Sequence, residues 1–129
     1  MKSLFRFLLL VAVATVLCAC DKSRQQSPAA VYKNDPAAIK RGKLVFAGTC
    51  GAYCHKLDPG QGGIPYLFDC AWQHGGSDDE IFETIRDGVP DTQMVGFGGA
   101  LPDGDDDIWK IIAYIRDTAP CNDISRYVH

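Results

Sequence analysis

The residues best suited to chemistry lie in one short stretch of the chain. Residues 50–56 read CGAYCHK, so Cys50 and Cys54 are separated by three residues and His55 follows at once. Thiols and an imidazole at this spacing fit a zinc site, a disulfide scaffold or the covalent attachment of haem. The common haem-attachment motif has only two residues between its cysteines, so the third residue needs an explanation.

Two of these interpretations leave the histidine without a role. The spacing C-x3-C-x15-C-x3-H suits a tetrahedral zinc site with Cys50, Cys54, Cys70 and His74 as ligands. Pairs of disulfides among the cysteines that follow residue 20 would suit an exported chain in an oxidising compartment. Neither arrangement uses His55, and the zinc site stays open as the alternative to haem.

The haem interpretation uses every residue of the stretch. Two thiols add to the haem vinyl groups, and His55 then becomes the ligand on one face of the iron. The extra residue is expected to bulge outward at Gly51, because glycine bends at little steric cost. Met94, the one methionine after Met1, lies in a loop rich in glycine and proline. It is the expected ligand on the other face, with His74 as the alternative, and a Met/His pair suits electron transfer.

Helices are predicted on both sides of this stretch. Asp35 is placed to cap the first helix and Pro36 fits its first turn. Ser77 and Glu80 have the spacing of a capping box at the start of the second helix, which Gly88 ends.

A third helix follows a run of aspartates, and one of Asp103, Asp105 or Asp106 is expected to cap it. Gly42 in the first helix is costly by about 1 kcal/mol relative to alanine, so we expect a close helix crossing there. The irregular stretch between the first two helices indicates that the chain wraps a large apolar cofactor. Four isoleucines of the third helix repeat at i, i+3, i+4 and i+7: Ile108, Ile111, Ile112 and Ile115.

The beginning of the chain predicts export. Residues 1–19 combine a short basic start with an apolar run and are interpreted as a signal peptide of the lipoprotein type. Leu17-Cys18-Ala19-Cys20 resembles a bacterial lipobox, which implies lipidation of Cys20 and an anchored periplasmic protein. Residues 20–34 are polar and are predicted to be a flexible tether. The net charge of −3 argues against a nucleic-acid-binding protein, which would carry an excess of basic residues.

Several separate stretches resemble the class I cytochromes c. RGKLVFAGTCGAYCH is similar to that family's first helix and attachment motif, and DDEIFETIRDGVPDTQM to the helix and loop that deliver the axial methionine. GGIPYLF resembles the loop below the proximal histidine, and DDDIWKIIAYIRD the C-terminal helix. Three residues between the cysteines mark a minority variant of the motif.

The resemblance implies an all-α fold, with three main helices and loops around one covalent haem c, over residues 35–121. It implies that Pro65 accepts a hydrogen bond from the proximal His55. It further implies a carrier of single electrons, not an enzyme, whose donor is a redox protein such as a quinoprotein alcohol dehydrogenase. The leftover Cys70 and Cys121 are expected to form a disulfide in an exported domain. Residues 122–129 are predicted to be a tail.

Overall fold

The computed structural model describes residues 26–59 and 63–119. The helices of these two ranges are α1 (Pro28–Tyr32), α2 (Pro36–Phe46), α3 (Asp78–Asp87) and α4 (Asp105–Thr118), and a π-helical turn spans Ala47–Gly51. The described residues contain no strand, and their only β-type pairing is an isolated antiparallel bridge between Gly88 and Val95. The prediction of an all-α fold with three main helices is therefore confirmed.

Side-chain caps start α2 and α3 at the expected positions. Asp35 Oδ1 accepts a hydrogen bond of 2.8 Å from the Ala37 N–H, and Pro36 occupies the first turn of α2. Ser77 Oγ accepts from the Glu80 N–H at 3.3 Å, and Glu80 Oε2 accepts from the Ser77 N–H at 2.9 Å. The hydrogen bond from the Ser77 backbone also lowers the pKa of Glu80.

The start of α4 differs from the prediction. Its N-cap is Gly104, with a φ of +57°, and no side chain caps the helix, so the expectation of a cap from Asp103, Asp105 or Asp106 is wrong. Glycine adopts this left-handed conformation without the steric cost of a Cβ atom. Asp107 instead points into the protein and accepts a 3.0 Å hydrogen bond from the Asp103 N–H.

A buried ion pair joins α2 to α4. The Arg41 guanidinium donates two hydrogen bonds of 2.8 Å to the Asp107 carboxylate, one to each oxygen. The Asp107 side chain is fully buried, whereas that of Arg41 is about one-third exposed. The hydrogen bond from Arg41 lowers the pKa of Asp107, and the two-point geometry fixes the register of the helices.

The α2–α4 crossing is as close as the glycine predicted. A Cβ atom built on Gly42 would lie 1.9 Å from the carbonyl oxygen of Lys110, so only glycine fits without moving a helix. The predicted isoleucine stripe of α4 is buried, with at most 1% of each residue exposed. The rings of Phe46, Phe68 and Tyr114 complete this core, with centroids 5.5–5.9 Å apart.

Part of the predicted tether belongs to the folded domain. Residues 28–32 form α1, which contacts α4, and Ala29 is completely buried. Ser27 caps α1 and donates a hydrogen bond to the Asp78 carboxylate, while the Tyr32 hydroxyl donates to Asp106. The prediction of a tether through residue 34 is wrong over α1, because a five-residue helix is too short to show periodicity in sequence.

Candidate functional site

One cavity collects most of the residues predicted to do chemistry. It has a volume of about 410 Å³ and is lined by residues of α3, of the loop after α3 and of the irregular segment before α3. Its lining includes both candidate sixth ligands and three residues of the predicted proximal side: Met94, His74, Cys54, His55 and Pro65. The other lining groups are mainly apolar, as an organic cofactor of low polarity requires.

His55 is held in one orientation by the backbone. Its side chain lies 9% exposed, and Nδ1 is 2.9 Å from the carbonyl oxygen of Pro65. A carbonyl oxygen only accepts hydrogen bonds, so Nδ1 is the donor in this contact and Nε2 is the ring nitrogen that remains for another partner. The residue pairing expected at Pro65 is present, and this pairing fixes the orientation of the imidazole at the cavity.

The π-helical turn accommodates the additional residue between the cysteines. The carbonyl oxygen of Cys50 accepts hydrogen bonds from the Cys54 N–H at 3.2 Å and from the His55 N–H, five residues on, at 2.8 Å. A π turn holds one residue more than an α turn and occurs mostly at functional sites. Tyr53 is 82% exposed, so the wider turn projects this ring into solvent.

Gly51 has a different role from the expected bend. The expected outward bulge is present as the π turn, but Gly51 is not among the described residues with a positive φ, so the bend does not depend on a conformation that only glycine favours. A Cβ atom at Gly51 would lie 3.3 Å from the ring of Phe46, which is closer than an ordinary contact. Glycine lets the π turn pack against the aromatic core.

The two thiols of the motif have different surroundings. Cys50 is buried and Cys54 is half-buried at the cavity wall, and both are free. Burial, with a smaller contribution from Cys54, raises the pKa of Cys50 to about 11. Apolar surroundings disfavour the charged thiolate form of this sulfur.

The zinc interpretation is wrong for this fold. Cys70 is disulfide-bonded and so has no thiolate to give to a metal. Within residues 26–59 and 63–119, no group of three or more His, Cys, Asp or Glu side chains is arranged to hold a metal ion. The predicted partner of Cys70, Cys121, lies outside the described residues, as does the predicted lipidation site Cys20, and both assignments stay predictions.

The loop that carries Met94 is fastened to the end of α3. The Val89 N–H donates to the Met94 carbonyl at 2.9 Å, and the Phe97 N–H donates to the Ile85 carbonyl at 2.9 Å. Gly88 has a φ of +76°, and a Cβ atom there would lie 2.6 Å from the Met94 oxygen. The methionine is therefore held by a short, crowded backbone turn at the cavity.

Sequence reasoning missed an arginine beside the site. The Arg116 guanidinium lies 5.4 Å from the ring centroid of Trp72, which lines the cavity, and its Nε donates to Asp78 Oδ1 at 2.9 Å. Arg116 is in the last turn of a helix, where a basic residue is ordinary, so its sequence position gave no signal. Tyr66 does not line the cavity and packs instead on Phe68.

Comparison with known proteins identifies the domain. Residues 37–115, more than half of the chain, match the family described as cytochrome c oxidase, cbb3-type, subunit III. The chain belongs to this family. It is a c-type cytochrome domain with covalently bound haem c, and it has the small all-α cytochrome c fold. The match falls inside the region where the sequence resembled class I cytochromes c.

A curated relative shows how far the sequence similarity extends. The chain is 45% identical over 62 residues to the cbb3-type cytochrome c oxidase subunit CcoP of Rubrivivax gelatinosus. This alignment covers 47% of the chain and 20% of the relative, so the chain spans about a fifth of that protein's length. No solved structure matches the chain.

The residues at the cavity fit haem c. An imidazole whose Nδ1 is bonded to the Pro65 carbonyl, a methionine thioether and a half-buried thiol line one apolar space, with a second, buried thiol adjacent in the motif. This donor set matches the Met/His ligation of cytochromes c. The c-type domain implies a periplasmic or membrane-associated location. Among the described residues, no helix combines the length and apolar character needed to cross a membrane.

Proposed function

We propose that this protein is an exported monohaem cytochrome that carries single electrons between periplasmic redox proteins. In this proposal Cys50 and Cys54 hold the haem as thioethers, and His55 and Met94 are the axial ligands. The observation that carries it is the His55–Pro65 contact, which presents one ring nitrogen to the cavity that Met94 also lines.

The chain's own groups suit electron transfer and not substrate turnover. When bound, haem c supplies a one-electron couple. Pro65 orients the His55 ring and increases its strength as a donor, and the Met94 thioether favours a high reduction potential. The cavity walls include the apolar side chains of Ile81 and Ile85. If His55 and Met94 both bound the iron, no coordination position would remain for a substrate.

The proposed sixth ligand, Met94, can be tested against the alternative, His74, which lines the same cavity. The full chain is produced in a host that matures c-type cytochromes, and spectra of Met94→Ala and His74→Ala are compared with wild type. We expect Met94→Ala to keep covalent haem but to lose the ligand-field band of the thioether and to bind carbon monoxide when reduced. His74→Ala should match wild type. The opposite result would make His74 the sixth ligand.

The covalent attachment has its own test. Mass spectrometry of the mature protein should show one haem added, and Cys50→Ser and Cys54→Ser should each leave a single thioether. A mature protein without porphyrin, from a host that matures a control cytochrome, would disprove the proposed function. The same mass measurement reports whether the chain begins at a lipid-modified Cys20, which we propose as its membrane anchor.

The partner most consistent with the comparisons is a respiratory oxidase, since the curated relative is named as a subunit of one. A quinoprotein alcohol dehydrogenase remains the proposed electron donor, whereas the oxidase would accept electrons. Stopped-flow mixing of the reduced cytochrome with a purified cbb3-type oxidase should give rapid oxidation. Rapid reduction by a quinoprotein dehydrogenase, with no reaction at the oxidase, would favour the dehydrogenase instead.

A further inference from the structure

A basic groove lies at the junction of α1 and α2. It has a volume of about 400 Å³, and three exposed lysines, Lys33, Lys40 and Lys43, line it with a single carboxylate, that of Asp117. Lys40 and Lys43 alone outnumber Asp117, and this local excess of positive charge contrasts with the net charge of −3 of the whole chain. An anionic surface is the chemistry that would recognise it.

Two of these lysines have no ionic partner among the described residues. Lys40 and Lys43 appear in none of the ion pairs of residues 26–59 and 63–119, whereas Lys110 is paired with Asp106 at 2.6 Å. Leu44, which is 61% exposed, lies one turn after Lys40 on the same face of α2. Lysines beside an exposed apolar side chain suit contact with lipid headgroups.

The groove is separate from the haem cavity. None of the residues that line it also lines the cavity. Contact between the lysines and a lipid surface would therefore not need any residue that lines the haem cavity. An electron carrier needs this separation if one surface binds the membrane while another contacts its redox partners.

The short tether places the groove near the membrane. Because α1 is folded, only residues 21–27 separate it from the proposed anchor at Cys20, and seven residues reach at most about 25 Å. Lys33 follows directly after α1, whose five residues add only about 8 Å. The tether is thus short enough to keep the groove near the lipid surface and allows it to lie within the Debye length over which headgroup charge acts.

We propose that this groove is the membrane-facing surface of the anchored domain, and that Lys40 and Lys43 bind the phosphates of anionic lipid headgroups. The proposal rests on the proposed lipid anchor at Cys20. Juxtamembrane lysines are attracted by the negative potential of anionic lipids strongly enough to change occupancy about five-fold each. In this proposal the lipid anchor supplies the affinity for the membrane, and the lysines determine which surface of the domain faces it.

Lysine acylation of the full-length, lipidated, haem-loaded protein tests this orientation. The protein is reconstituted in vesicles of phosphatidylglycerol and phosphatidylethanolamine or of phosphatidylcholine alone, and the modification rates are read by mass spectrometry. We expect Lys40 and Lys43 to react at least about five-fold more slowly on the anionic vesicles, with the difference lost at about 1 M salt. Lys56, exposed near the haem motif, is the internal control and should react equally on both.

Each other outcome overturns the proposal. Equal rates on the two vesicles would show that headgroups do not recognise the groove. Equal slowing on both would indicate shielding by proximity alone. Slowing of Lys40 and Lys43 only when a purified acidic redox protein is added would assign the groove to a protein partner. A mature chain without lipid would remove the anchor and this proposal together, while its haem spectrum would still report separately on the proposed function.

Discussion

Replacement of Gly42 by alanine tests the helix crossing on which the fold depends. The added Cβ atom would lie 1.9 Å from the Lys110 carbonyl oxygen and 2.5 Å from its carbonyl carbon, while ordinary contacts begin at 3.4 Å. The obstacle is backbone inside a helix, which cannot rotate aside as a side chain would. The two helices must therefore separate, and the buried packing of α4 must loosen with them.

Two opposing terms set the magnitude. Alanine in place of glycine within a helix gains about 1 kcal/mol of propensity, whereas overpacking of a close-packed core costs about 1–3 kcal/mol. Because the clash is with backbone, we take the upper end of that cost, and the free energy of unfolding should fall by about 2 kcal/mol. For a domain of this size the unfolding temperature should then drop by about 8–16 °C.

Thermal unfolding of the haem-loaded protein, followed by circular dichroism, measures this drop. Gly48→Ala is the matched control, since it makes the same change and no atom lies within 4 Å of the added Cβ. We expect that control to unfold at the wild-type temperature or up to about 8 °C above it, because it gains helix propensity without a clash. If Gly42→Ala unfolded together with Gly48→Ala, the close crossing of α2 and α4 would not exist as described.

Two further predictions concern the methionine loop and the buried ion pair. Gly88→Ala should displace the Met94 loop and weaken the thioether ligand-field band, because its Cβ would meet the Met94 oxygen at 2.6 Å, while Gly99→Ala, at a similar φ in open space, should keep the band. Asp107→Asn should destabilise the protein at neutral pH but progressively less below about pH 4. Arg41 lowers the folded-state pKa of Asp107, so its stabilising contribution is present above the unfolded pKa and is lost as the pH falls through the folded one.

The outcomes that contradict these predictions are distinct. Equal loss of the ligand-field band in Gly88→Ala and Gly99→Ala would show that backbone strain alone, and not crowding against Met94, controls the loop. For the ion pair, unfolding temperatures are measured from pH 7 to pH 3. A constant difference between wild type and Asp107→Asn over this range would show that the carboxylate does not stabilise the fold through its charge.

Local chemistry made much of this protein predictable from its sequence. The caps at Asp35 and Ser77 depend on groups within three residues of each other, and both formed as expected. The isoleucine stripe of α4 has one periodicity and one buried face. The adjacency of Cys54 and His55 places an imidazole directly after a thiol whatever the surrounding fold.

Features that depend on contacts between distant parts of the chain were not predicted from the sequence. The cap of α4 is Gly104, and the Asp107 carboxylate in the first turn of that helix binds Arg41, a residue of another helix. The helix at residues 28–32 exists because Ala29 packs on the α4 side of the domain and Ser27 reaches Asp78. Five residues carry no periodic signal of their own, so only these tertiary contacts stabilise the helix.

The sequence by itself determined which groups are available: two thiols, an imidazole, a methionine and the helices that flank them. Only the tertiary structure decided how they are presented. It oriented His55 through the Pro65 carbonyl, accommodated the third intervening residue in a π turn and withdrew Cys70 from metal binding by oxidation. The physical reason is that sequence spacing limits where a side chain lies, whereas its orientation and oxidation state depend on partners that only folding brings near.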